Sequence, residues 1–139
     1  MTGTGSTQGR DRGSLSVVTM FLTIVALGAA GLVVDGGRAL AARRHAAGTA
    51  EAAARFAITR QSLTTGFDPE TAMEVARSYA VRSGIADRDV AVAIRDRVDG
   101  RPEIVVTITE RPTAVVLGLA GVESLTVHAT GSAIAVYAP

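Results

Sequence analysis

Two histidines, His45 and His128, are the side chains best suited to acid–base or metal chemistry in this 139-residue chain. Neither stands at ligand spacing from a second histidine or a carboxylate cluster, so neighbouring positions assemble no zinc-type site. Both read as solvated side chains. Asp87 and Asp89 form a carboxylate pair that general acid–base work could use. They flank the start of a strand, however, where aspartate commonly serves backbone turns. Asp96 and Asp99 belong to a hairpin tip. Gly3-Thr4-Gly5-Ser6 has the small residues of a phosphate cradle, but no strand precedes it and no lysine follows. The serines lack a nucleophile-elbow arrangement. Cysteine is absent, which removes disulfides, thiol catalysis and thiolate metal ligands together. This inventory predicts no enzyme, no metal site and no cofactor, and directs attention to the elements that carry these residues.

The dominant element is an uncharged run of 21 residues, 14–34. As a helix it measures roughly 31 Å, the hydrocarbon thickness of a bilayer. Arg10, Asp11 and Arg12 bound it on one side, Asp35 and Arg38 on the other. Three readings compete. A core helix would carry polar residues in every turn, and only Ser14, Ser16, Thr19 and Thr23 qualify. A cleaved secretory signal has an apolar region of about 7–15 residues, shorter than this one, although small-residue sites exist at Ala26-Leu27-Gly28 and Gly28-Ala29-Ala30. A retained transmembrane helix is favoured. Its small residues Gly28 and Gly31 would let a partner helix approach closely. Beyond it, residues 35–139 carry twelve arginines and twelve acidic residues, so no basic excess points to nucleic acid.

Residues 1–13 read as a disordered leader, polar and small at its start. Residues 35–62 continue as an alanine-rich helical extension. Ala39, Ala42, Ala46, Ala50, Ala53 and Ala57 recur at helical spacing as one seam. Asp35 and Arg38 can pair across a turn. Gly36-Gly37 suggests a hinge, each glycine costing roughly 1 kcal/mol relative to alanine. Residues 63–139 form a small α+β domain. Thr64-Thr65-Gly66 breaks the helix. Asp68 as N-cap and Pro69 at the first position open a second, short helix whose face is Ala72, Val75, Ala76 and Tyr79, and Gly84 stops it. Val90, Val92 and Ile94 alternate as a strand, Asp99-Gly100 turns the chain, and Ile104, Val106 and Ile108 return it. Residues 113–121 form an apolar connection with one helical turn. A third strand carries Leu125, Val127 and Ala129 on one face and Ile134 and Val136 on the other, which predicts a bulge at Gly131-Ser132. The fold class expected is α+β, with a three-stranded antiparallel sheet covering a helix.

The order Arg12-Gly13, apolar run, Val34-Asp35-Gly36-Gly37-Arg38, then Ala41-Ala42-Arg43-Arg44 and Ala50-Glu51-Ala52-Ala53-Ala54, resembles the TadE/TadG-like proteins of Flp-type (type IVc, tight-adherence) pilus systems. Gly118-Leu119-Ala120-Gly121-Val122 before Leu125-Thr126-Val127 extends the likeness, which runs from Arg10 to Tyr137. The resemblance implies a pilin-like protein anchored in the membrane bilayer, a minor or assembly subunit whose partners are other pilin-like or Tad secretion subunits. It also implies prepilin peptidase cleavage between Gly13 and Ser14. Val18 stands where processed members carry glutamate, which is closer to the branch without it. The resemblance places the N-terminus in the cytoplasm and the domain outside. Arg38, Arg43 and Arg44 would put the domain inside on a positive-inside count. The alternative to a pilus subunit is a secreted binding domain with residues 14–34 removed as its signal.

Overall fold

A computed structural model describes residues 8–61 and 66–135. The first part of the leader, the break at Thr64-Thr65 and the strand positions Val136 and Tyr137 lie outside the described residues. The rest of the leader, residues 8–13, is helical as the start of α1, which corrects the expectation of disorder there. The chain folds as α+β. Helix α1 is Gln8–Thr59, α2 is Pro69–Arg82, and three strands follow: β1 Val90–Asp96, β2 Pro102–Glu110 and β3 Val127–Ile134. Short 3-10 turns occupy Asp87–Asp89 and Leu117–Ala120.

α1 runs for 52 residues without interruption, roughly 78 Å at 1.5 Å per residue. In its first half the apolar side chains Leu15, Val17, Met20, Phe21, Leu27 and Val33 are largely exposed. That excludes a core helix, which would bury them. The Thr19 and Thr23 hydroxyls donate to the carbonyls of Leu15 and Thr19, each at 2.8 Å, so they present no unpaired donor to an apolar surrounding. α1 is the one described helix long and apolar enough to cross a membrane, and it fits a single-pass anchor. The expected hinge at Gly36-Gly37 is absent: the helix continues through both glycines. Asp35, immediately before them, is tied to a distant loop, so the helix is held from outside where its own propensity is weakest.

In its second half α1 becomes the centre of the core. Ala46, Ala50, Ala53, Ala54 and Ala57 are fully buried. The sheet order is β1-β2-β3, antiparallel throughout. Cross-strand neighbours Val90–Ile108–Ala129, Val92–Val106–Gly131 and Ile94–Ile104–Ala133 share the face that packs on the helices. Residue size falls across this face, from Val and Ile on β1 and β2 to Ala and Gly on β3. β3 lies against the alanine seam of α1, and two small-residue surfaces let the backbones meet. A Cβ built on Gly131 would lie 2.6 Å from both Ala50 C and Glu51 Cα. This corrects the expected bulge at Gly131-Ser132. β2 and β3 pair one to one from Glu103↔Ile134 to Glu110↔Val127. Ala129, Gly131 and Ala133 simply keep the phase of Val127, and their small side chains hide the alternation that larger ones would display.

α2 packs on α1 and β1, with Ala72, Ala76 and Ala80 buried at four-residue spacing and Val75 and Tyr79 half-buried. Phe56 and Tyr79 bring ring centroids to 5.1 Å across the helix pair. Asp68 caps α2 by accepting the Glu70 N–H, and Pro69 follows at the first position. At the other end Ile85 N–H reaches Ala80 O and Gly84 N–H reaches Val81 O, with Gly84 at φ +94°. This is the left-handed C-terminal motif that glycine favours. The β1–β2 hairpin turns through residues 97–101, with Gly100 N–H donating to Arg97 O at 2.9 Å and Gly100 at φ +73°.

Candidate functional site

Past β2, Arg111-Pro112 ends the strand and the chain enters a loop closed at its neck. Thr113 bridges Ser124, Ala114 N–H donates to Glu123 O at 3.1 Å, and Leu125 N–H donates to Pro112 O at 3.0 Å. The loop returns towards α1 and meets it at Gly31 and Asp35. These positions are four apart, one turn, and so face the same way. Both are buried.

The Asp35 carboxylate accepts three consecutive backbone N–H groups. Val115 donates to Oδ1 at 2.9 Å, and Val116 and Leu117 donate to Oδ2 at 3.0 and 2.7 Å. These are the free donors at the start of the 3-10 turn Leu117–Ala120, which has no side-chain cap of its own. Asp35 supplies the cap from the other end of the chain. Charge-assisted bonds of this kind are stronger than neutral ones. One turn earlier, the Val116 side chain lies over Gly31. A Cβ there would come to 2.6 Å from Val116 Cβ and 3.0 Å from Cγ2. Together the two contacts fasten the loop to the helix at the end of the apolar run.

The structure thus separates residues that sequence spacing had grouped. Gly31 is taken up by Val116 within the chain, whereas Gly28 has open space around it and stays available to a neighbour. Asp35 accepts its hydrogen bonds from the loop, and exposed Arg38 acts on it only as a nearby charge. Three backbone amides satisfy a buried carboxylate better than one solvent-exposed guanidinium on the same helix. Gly13 and Ser14 lie within the first two turns of α1.

A second cluster forms where α1 passes the end of β2. His45 is exposed, as a solvated side chain should be, and its Nδ1 also lies 2.7 Å from Glu110 Oε1, a partner that spacing did not reveal. Asp89 is bonded to Arg111, and Asp87 to Arg77. His45, Asp89, Glu110 and Arg111 line a shallow depression of about 270 Å³ with Ile85, Ala86 and Pro112. It holds no serine, and the hydroxyl of its Thr109 is engaged with His128 Nδ1 at 2.9 Å on the sheet. A histidine–carboxylate pair without a nucleophile in its pocket reads as a surface ion-pair network. Among the described residues no three His, Asp or Glu side chains are grouped to hold a metal.

The helix that carries Gly28, Gly31 and Asp35 is also where the comparison with known proteins falls. Residues 13–60 match the family described as "Putative Flp pilus-assembly TadE/G-like". The matched segment begins at Gly13 and ends one residue past α1, so it covers the apolar run, Asp35 and the alanine seam. α2, the sheet and the loop lie beyond it. No curated protein and no solved structure matches the chain.

Proposed function

We propose that the protein is a membrane-anchored, minor pilin-like or assembly subunit of a Flp/Tad-type pilus or related secretion system, acting structurally. The observation that carries this reading is α1 itself. One unbroken helix, matched to a pilus-assembly family, is bare and apolar in its first half and buried under a sheet in its second. A rod that is anchor at one end and core at the other transmits position from bilayer to domain, which is a mechanical task.

In this reading residues 1–13 are the leader, 14–34 the membrane span, 35–62 the helical extension and 63–139 the extracytoplasmic domain. The N-terminus is cytoplasmic. Neighbouring pilin-like or Tad subunits approach the open face at Gly28. Prepilin peptidase is a candidate partner at Gly13-Ser14, although Val18 stands in place of the glutamate of processed members. The measurement is the intact mass of the protein recovered from its native membranes. A chain starting at Ser14 is a processed pilin-like subunit, and one retaining residues 1–13 is a permanently anchored assembly factor. A start near Ala29 or Gly31, with protein free in the medium, overturns both in favour of a secreted domain.

A further inference from the structure

We propose that the loop 113–122 is a second membrane contact, with its apolar tip seated in the bilayer beside α1. The inference rests on the reading of α1 as the anchor. Five large hydrophobic side chains outside α1 are exposed among the described residues, and three of them, Val115, Leu119 and Val122, belong to this loop. Leu119 is 90% exposed, Val115 50% and Val122 40%. No charged residue occurs between Thr113 and Val122. Exposed apolar side chains gathered this closely mark a contact surface rather than the scatter normal for a protein exterior.

The occupant follows from where the loop is fastened. Val116 sits over Gly31, inside the uncharged run, and Asp35 marks its end. Gly31 and Asp35 are four residues apart, about 6 Å along the helix. The loop is therefore fastened level with the last apolar turn of α1, where Leu32 and Val33 are also exposed. Leu119, two residues past the fastened Leu117, is thereby held near the surroundings of that turn of α1.

The backbone supports the same conclusion. Lipid contact requires that N–H groups find partners within the protein. From Ala114 to Val122, seven donate internally: Ala114 to Glu123, Val115, Val116 and Leu117 to Asp35, Leu119 to Val116, Gly121 to Gly118 and Val122 to Leu117. Asp35 thus prepares the loop for an apolar surrounding by consuming its three leading donors. Exposed Arg38, one turn beyond, is placed to meet headgroups. Two attachments, helix and loop, would fix the tilt of the domain on the bilayer, which a single helix leaves free.

The chain has no cysteine, so one can be introduced alone and labelled. Full-length protein carrying Val25→Cys, Leu119→Cys or Val98→Cys is placed in phosphatidylcholine–phosphatidylglycerol vesicles and labelled with a polarity-sensitive fluorophore. Val98 is an exposed residue of the β1–β2 hairpin, at the far end of the sheet. All three side chains are at least half exposed, so the labels leave the core intact. The expected result is blue-shifted emission at positions 25 and 119, quenched by nitroxide lipids, and aqueous emission at 98. Aqueous emission at 119 with a lipid signal at 25 overturns the loop contact and leaves the anchor standing. Aqueous emission at 25 overturns the anchor, and the inference with it.

Discussion

Asp35 Oδ2 accepts the Leu117 backbone N–H at 2.7 Å, joining positions 82 residues apart. This bond and its two neighbours fasten the loop after β2 to α1 immediately before Gly36-Gly37, through which the helix continues.

Removing the clamp should free the loop before it disturbs the sheet. Asp35→Asn keeps one acceptor oxygen, and Asp35→Ala keeps none. Amide exchange at Val115, Val116 and Leu117, read by mass spectrometry in detergent, should accelerate in the order Asp, Asn, Ala. Protection at Ile104 and Val106 should persist. Equal exchange at the loop amides in all three proteins would show that the carboxylate does not hold the loop.

The two glycines of the apolar run should behave differently. Gly28→Leu meets no neighbouring atom, so the fold should be unchanged while crosslinking between chains in membranes declines. Gly31→Leu should displace Val116 and raise exchange at residues 115–117, as Asp35→Ala does. Identical phenotypes for the two variants would refute the division of roles.

Gly131 and Gly36 provide an opposed pair for stability. Gly131→Ala presses a methyl group onto the backbone at Ala50 and Glu51 and should cost roughly 1–3 kcal/mol, as overpacking does. Gly36→Ala adds a methyl group in open space within a helix and should gain roughly 0.5–1 kcal/mol. Thermal unfolding in detergent decides this: a melting temperature for Gly131→Ala at or above that of the parent contradicts the close approach of β3 to α1.

The α2 cap gives the domain a predictable acid response. The Thr71 hydroxyl and the Glu70 and Thr71 amides hold the Asp68 carboxyl below its ordinary value of 3.8, against the opposing effect of burial. A depressed folded value means that the unfolded chain binds the proton first as pH falls. The cap's contribution is therefore fully present above 3.8 and is lost as pH drops through the lower folded value. Asp68→Asn keeps a capping oxygen without titrating, so the difference in unfolding midpoint between parent and variant should be flat above that pH and shift below it. A constant difference throughout would remove the carboxylate from the argument.

Much of the fold was legible because its signals are local. Asp68-Pro69, Gly84 and Asp99-Gly100 act through their own backbone geometry. The alternation of Val90, Val92 and Ile94 with that of Ile104, Val106 and Ile108 needs only the two-residue period of a strand. β3 misled, since alanine and glycine on its buried face carry too little hydrophobic contrast to report phase. The His45–Glu110 contact gave no signal, its partners being 65 positions apart.

By itself the sequence determined the long apolar helix, the alanine seam, the elements and their order, because hydrophobic period and turn chemistry act over a few residues. Only the tertiary structure decided the purpose of Gly31, Asp35 and Gly131. Each answers to a surface that arrives from the other end of the chain: a valine that needs a notch, three amides that need an acceptor, and a helix backbone that leaves no room for a side chain.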